Sequence, residues 1–190
     1  MVKIISKPKS KFKECEVNTT PKLLLNICDL YNYGFTDSNI FYRNLYADPE
    51  KDFYKITIDR YFELGDIFYT KILSYLRMAN IICVEFPKTS YNLIPFKYKP
   101  FKKAVEASIN YIENNEIKEI HTPIFANRIC EGDWSKILEI LKEELNKVSY
   151  DIVLYVYSWL IQNIIKEGVT KLWINYPLRS YMMDKTTIIL

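Results

Sequence analysis

The chain has 190 residues, enough for one domain with an extension, and its 26 Lys and Arg against 23 Asp and Glu leave a net charge of only +3. Neither end carries a long block of one sign, so charge gives no case for binding DNA or a membrane surface. With 49% apolar and 15% aromatic residues, disorder is excluded and a sizeable core can be buried.

In chain order, the N-terminus (Met-Val-Lys-Ile-Ile-Ser-Lys-Pro-Lys) lacks the long apolar stretch of a signal peptide. Its alternating Lys7, Lys9, Lys11 and Lys13 read as a solvated terminus. Residues 23–28 form a buried strand soon after Pro21. Phe41 and Leu45 suit a helix capped by Thr36, Asp37 or Ser38. Residues 66–72 and 81–86, rich in β-branched and aromatic side chains, are strands. After Pro100 a helix places Phe101, Val105, Ile109 and Ile112 on one face. Residues 118–124 are a strand broken at Pro123, and a clear amphipathic helix follows with Trp134, Ile137, Leu138, Leu141 and Leu145 on its apolar side. Residues 151–157 form the last core strand, and around 152–160 the apolar run is too short to span a bilayer. Beyond, residues 159–167 suit a short helix closed by Gly168, and residues 169–176 a further strand. Strands separated by helices of this length predict an α/β sheet with helices on both faces. The division is a domain over 1–160 with a C-terminal extension over 161–190 packed on it. A soluble, cytoplasmic protein is expected.

Two shortages narrow the chemistry. The cysteines, Cys15, Cys28, Cys83 and Cys130, are far apart, and His121 is the only histidine, which argues against a metal site, a disulfide framework or a Cys-His catalyst. His121, in an apolar strand, reads as a core residue with its bonds satisfied. There are only four glycines, Gly34, Gly65, Gly132 and Gly168, against an average of about 7%. Glycine-rich phosphate cradles are therefore absent, and no cofactor is expected.

Function concentrates between Glu119 and Leu145, where a strand enters the loop Phe125-Ala126-Asn127-Arg128-Ile129-Cys130-Glu131-Gly132 and Asp133-Trp134 opens a helix. In open α/β sheets ligands sit where strand C-termini meet helix N-termini. Arg128 adds a fork of donors suited to phosphate; an ordinary strand-helix connection is the plain alternative.

The segment Pro123-Ile-Phe-Ala-Asn-Arg-Ile-Cys-Glu-Gly-Asp-Trp134 resembles the macro-domain segment Pro-Arg-Ile-Gly-Cys-Gly-Leu-x-Gly-Gly-Asp-Trp, whose loop wraps the phosphates of ADP-ribose. Asn26-Ile-Cys-Asp-Leu-Tyr-Asn-Tyr-Gly-Phe35 is similar to that family's first ligand loop, and Leu64-Gly-Asp-Ile-Phe-Tyr69 to a segment of its phage-type and terminal ADP-ribose glycohydrolase-type members. Pro95 and Tyr98 resemble the Pro-x-x-Tyr that opens their next helix, and Val156-Tyr157 the end of their last core strand. The likeness covers about residues 20–160. It implies a three-layer α/β/α sandwich with a mixed central sheet. The ligand set it implies is Cys28, Asp29, Asn32, Gly34, Phe35, Phe125, Ala126, Asn127, Arg128, Ile129, Cys130, Glu131, Gly132 and Tyr157, the last beside the adenine.

The departures bear on activity. Ala126, Arg128 and Glu131 stand where three loop glycines are expected, so Arg128 either pairs with phosphate or blocks the pocket. Asp29 replaces the customary Asn near the distal ribose, and the Gly-Asp pair that contacts adenine is not recognisable. Lys88 matches the family's nucleophilic lysine with one residue of slack, but Cys130 occupies the place of the Asp that resolves its adduct. The implied function is binding of ADP-ribose or an ADP-ribose-derived signalling nucleotide, with sequestration by a viral or phage protein as its setting. The alternatives are an ADP-ribosyl hydrolase using Lys88, or Asp29 with a water, and an interaction scaffold that has lost its pocket. No nucleic-acid or membrane partner is expected.

Overall fold

The computed structural model describes residues 1–30, 36, 38, 41, 42, 45, 46, 61–85, 94–125 and 130–158. Six strands make one sheet in the order β1 (Val2–Pro8), β8 (Ile152–Ser158), β6 (Glu119–Pro123), β2 (Lys22–Asp29), β4 (Leu76–Val84), β3 (Ile67–Lys71). All run parallel except β3, which pairs antiparallel with β4. Every residue of β2 is buried, as a central parallel strand covered on both faces requires. The strand's alternation then sends Leu23, Leu25 and Ile27 to one face and Lys22, Leu24 and Asn26 to the other.

The first face carries α1 (Tyr98–Asn114) and α2 (Trp134–Leu145). Phe101, Ala104, Val105 and Ile112 from α1 and Ile137, Leu141 and Leu145 from α2 close over Leu23, Ile81, Ile120, Leu154 and Val156 as one apolar core. The α1 helix starts at Tyr98, three residues before the predicted start after Pro100. Pro100 falls in its first turn, where the missing N–H has no helical partner to lose. Its other end, at Asn114, is closed by Glu116, whose φ of +51° puts a non-glycine residue in the left-handed region; Glu116 N–H bonds Glu113 C=O (3.1 Å) and Ile117 N–H bonds Ile112 C=O (3.0 Å). In α2, Asp133 caps the helix by accepting from Ser135 N–H at 2.8 Å.

The second face is covered, among the described residues, by a 3₁₀ helix (Lys9–Glu16) and by Phe41 and Tyr42. Here the structure corrects the reading of the N-terminus. Residues 2–8 are not a solvated tail but the edge strand β1, in parallel register with β8, and Phe12 and Cys15 are buried beneath it. The lysines are paired rather than free: Lys7 and Lys11 each lie 3.0 Å from Glu14, Lys13 lies 2.9 Å from Glu16, and Lys9 sits over the Phe41 ring. β4 also begins earlier than predicted, at Leu76 rather than at residue 81, because Arg77 and Asn80 interrupt the apolar pattern.

Gly65 is the one described glycine at positive φ, +95°. It turns the chain into β3, and a Cβ there would lie 2.8 Å from the Lys103 side chain on α1. The expected extension after residue 160, with its helix and strand, lies outside the described residues.

Candidate functional site

The strand order contains a switch point. From β2 the chain moves to β3 and β4 on one side, and α1 then carries it across to β6 on the other. A crevice at the carboxyl ends of β2 and β6 is the topological consequence.

Backbone pairing shows how that crevice opens. β2 and β4 stay paired from Lys22 to Asp29, but β2 and β6 pair only at Lys22–Glu119, Leu23–Ile120 and Leu24–His121. Past that point the strands part and their facing backbone groups need other partners. On β2, Tyr42 hydroxyl donates to Leu25 C=O at 3.0 Å. Ile27 N–H donates to Ser38 Oγ at 2.7 Å, and Thr36 and Ser38 hydroxyls both donate to Ile27 C=O. On β6, Ile124 N–H donates to Tyr157 C=O of β8, so alternation turns the Pro123 nitrogen toward β2. Proline carries no N–H, so the parted edge holds no orphan donor there. Thr36 and Ser38, predicted as caps, thus serve the seam between β2 and β6.

The other side of the site is tied in twice. Between Cys28 and Asp29 the β2–β4 register skips Cys83, a β-bulge at the end of the strand. The carbonyl of Cys83 instead accepts from Lys97 N–H at 3.3 Å, at the start of α1. Two short strands, β5 (Ile94–Pro95) and β7 (Cys130–Glu131), pair in parallel, and Tyr98 hydroxyl accepts from Asp133 N–H at 2.6 Å. The segment before α1 therefore braces the far end of the loop after β6.

Of the predicted ligand residues, the structure brings Cys28, Asp29, Phe125, Gly132 and Tyr157, with the backbone of Cys130 and Glu131, to this one edge of the sheet. Asn32, Gly34, Phe35, Lys88, Ala126, Asn127, Arg128 and Ile129 lie outside the described residues. Several side chains that can be described turn inward. Asp29 is buried at the end of β2. Cys28 is buried with its Sγ 3.5 Å from Asn26 Nδ2, and burial pushes its thiol well above the usual range, so it stays protonated. Phe125 is 1% exposed, packed among Phe96, Phe101 and Trp134, so the loop's first residue contributes backbone rather than ring. Tyr157 is fully buried, with its ring edge on Phe12 and its hydroxyl 2.9 Å from His121 Nδ1, so its ring is covered by the protein itself rather than open for stacking.

His121 is a core residue with only half its bonds made. Its Nε2 has no hydrogen-bond partner among the described residues and lies 3.5 Å from Glu119 Oε2. Burial, with Lys22 and Lys7 nearby, pushes its pKa down to about 3.

Sequence reasoning missed the sealing roles of Thr36, Ser38 and Tyr42, the bulge at Cys83, and the Tyr98 brace. Only Pro95 and Tyr98 left a signal, as a motif without an assigned task. Among the described residues, the charged group at this edge is Lys136, exposed on α2, whose Nζ lies 4.3 Å over the Tyr98 ring. The anion slot of α2 itself is taken by Asp133. Among the described residues no cluster of His, Cys, Asp and Glu can hold a metal ion, and no helix is long and apolar enough to cross a membrane.

No protein-family model matches the chain, and no curated protein matches its sequence. Solved structures do match its fold. It is similar to a macrodomain protein from Streptomyces coelicolor (15% identity, TM-score 0.62, covering 83% of this chain and 98% of that one). It is similar to the macrodomain of Mycobacterium tuberculosis DarG (14% identity, TM-score 0.62, covering 83% and 97%). A third likeness is to Thermosipho africanus DarTG, solved in complex with ADP-ribose (11% identity, TM-score 0.56, covering 86% and 54%). The chain has the macrodomain fold, with its mixed six-stranded sheet.

Proposed function

We propose, from a macrodomain fold whose carboxyl-end crevice is held open by sequence, that this chain binds ADP-ribose or a nucleotide derived from it. The observation that carries the reading is the parting of β2 and β6 beyond Leu24 and His121. It separates the carboxyl ends of β2 and β6, the strands from which the two candidate ligand loops leave the sheet. The complex of Thermosipho africanus DarTG with ADP-ribose supports the choice of ligand.

Binding ranks ahead of turnover because Cys130 stands where the resolving Asp of a lysine mechanism is expected. Cys28 is held protonated by burial, and His121 lies beneath the sheet with its Nδ1 committed to Tyr157. The loop residues Asn127 and Arg128 then act as donors to the diphosphate, and a sequestering role needs nothing more. The domain over residues 1–160 is the unit proposed to bind.

Isothermal titration of the full chain with ADP-ribose, and with amino-acid-linked or cyclic ADP-ribose, tests the proposal. Saturable binding of one of them is the expected result, with a rise in the thermal midpoint set by mass action. Absence of heat and of any midpoint shift with all three overturns it. Release of ADP-ribose from a modified protein by wild type, lost in Lys88→Ala, is the outcome that favours a hydrolase instead.

A further inference from the structure

The 3₁₀ helix Lys9–Glu16 lies on the second face of the sheet without joining its ladder, so contacts made by side chains hold it there. Phe12 is buried with its ring edge-on to Phe41 and to Tyr157, each centroid 4.9 Å away. Cys15 is buried beside it, its Sγ 3.9 Å from the Tyr46 hydroxyl. Tyr46 hydroxyl donates to Glu16 Oε1 at 2.8 Å, and Tyr75 hydroxyl donates to Glu16 C=O at 2.7 Å. Glu14 accepts from Lys7 Nζ of β1 at 3.0 Å.

Under Phe12 the contacts continue to a titratable group. Tyr157 hydroxyl is 2.9 Å from His121 Nδ1, and His121 Nε2 is buried with no hydrogen-bond partner among the described residues. Every element packed around this imidazole turns a charged or titratable group toward it. β6 supplies Glu119, 3.5 Å from Nε2; β8 supplies Tyr155, stacked at 4.8 Å, and Tyr157. β2 supplies Lys22, and β1 supplies Lys7, whose Nζ lies 4.6 Å over the Tyr155 ring. From the 3₁₀ helix, Cys15 and Glu14 act on Tyr157. Burial, Lys22 and Lys7 together hold the covered imidazole neutral.

We infer that the 3₁₀ helix is a strap that lifts from the sheet as a unit of its own, and that proton uptake by His121 drives the lifting. Lifting takes Phe12 off Tyr157 and lets water reach the hydroxyl and the imidazole bonded to it. The wetted imidazole regains the ordinary histidine pKa of about 6.5, and the form that binds a proton more readily gains population as pH falls. The covered form is thus favoured above that pH and loses ground below it, toward the folded value of about 3. Glu14, held below the usual carboxylate range by Lys11 and Lys7, adds to the same trend at lower pH. β1 stays in place, because its ladder with β8 from Val2 to Pro8 is backbone bonding that no side chain titrates. An element held only by side chains is the kind that opens locally while the rest stays folded. None of this depends on what the crevice binds.

Cys15 reports the lifting, since burial keeps its thiol covered and pushes its pKa up to about 11. The full chain is pulsed between pH 7 and pH 5 with 4,4′-dithiodipyridine, which modifies thiols in acid as well as at neutral pH. Peptide mass spectrometry then gives the labelling of Cys15 relative to Cys28, a free thiol buried in β2. The expected result is a ratio that rises about tenfold from pH 7 to pH 5, under the ceiling of a decade per pH unit set by one proton. His121→Gln should flatten that rise. Glu14→Gln, at the surface, should raise the ratio about twofold at pH 7 and leave the slope as it is. A ratio that ignores pH overturns the inference. So does a parallel rise of Cys15 and Cys28, which is unfolding of the whole domain, and so does a rise that persists in His121→Gln. Should that variant fail to fold, hydrogen exchange of the wild type decides: faster exchange at pH 5 confined to residues 9–16 upholds the strap, and none beyond that of β8 overturns it.

Discussion

The two faces of the sheet are built from the same strands by different chemistry. Toward α1 and α2, the alternate residues are mostly apolar, Leu23, Leu25, Ile27, Ala79, Ile81, Ile120, Leu154 and Val156, with Thr122 and Tyr69 as polar groups among them. Toward the 3₁₀ helix they are Lys22, Asn26, Asn80, Thr70, His121, Tyr155 and Tyr157, interleaved with Leu24 and Met78. On this side Asn26 donates to Asn80 Oδ1 at 2.9 Å and Asn80 to Thr70 Oγ1 at 3.0 Å, a chain running across β2, β4 and β3. One face is stabilised by area removed from water, which is tolerant of detail. The other depends on each polar group finding its partner, which is not.

The widest gap between the faces is expected from truncation on the apolar side. Phe101→Ala removes a fully buried ring between α1 and the sheet and should cost about 3–5 kcal/mol, measured by chemical denaturation. A loss under about 1 kcal/mol would show that the core can close over the gap. Acid separates the faces next. His121 has a folded pKa of about 3, below the ordinary value, so the unfolded chain takes up the proton first. Its contribution is flat above about pH 6.5 and falls by about 1.4 kcal/mol per pH unit from there toward pH 3. Denaturation from pH 7 to 4 should show this slope in wild type, in excess of that in His121→Gln; parallel slopes would refute it. The smallest effect tests the polar chain. Asn80→Ala leaves the buried Asn26 amide and Thr70 hydroxyl without that partner and should cost about 1–3 kcal/mol. A neutral result would mean that water replaces the amide and that this face is more tolerant than its bonds imply.

The same contrast explains what could be read in advance. β2, β3, β6, β8 and the helices α1 and α2 were legible because each carries apolar side chains that pack on the first face. β1 was not: Lys3 and Lys7 interrupt Val2, Ile4 and Ile5, and an edge strand with one neighbour shows charge where an inner strand shows none. The start of β4 was hidden for a related reason, since Asn80 is buried by its bonds to Asn26 and Thr70 rather than by apolarity. For the site, the position of the crevice followed from the order of strands and helices. The side chains of Cys28 and Tyr157 did not, because a motif gives sequence position while the pleat decides which way each residue faces. The brace through β5, β7 and Tyr98 left almost no trace, being two residues against two and a single hydroxyl.

Among the described residues, three ladder positions, Lys22 to Leu24 against Glu119 to His121, are the strand pairing that welds β1, β8 and β6 to β2, β4 and β3. The molecule is thus a pair of three-stranded ribbons, joined along a short hem and left unstitched above it. Pro123 withholds the thread, and any other amino acid at that place would offer one.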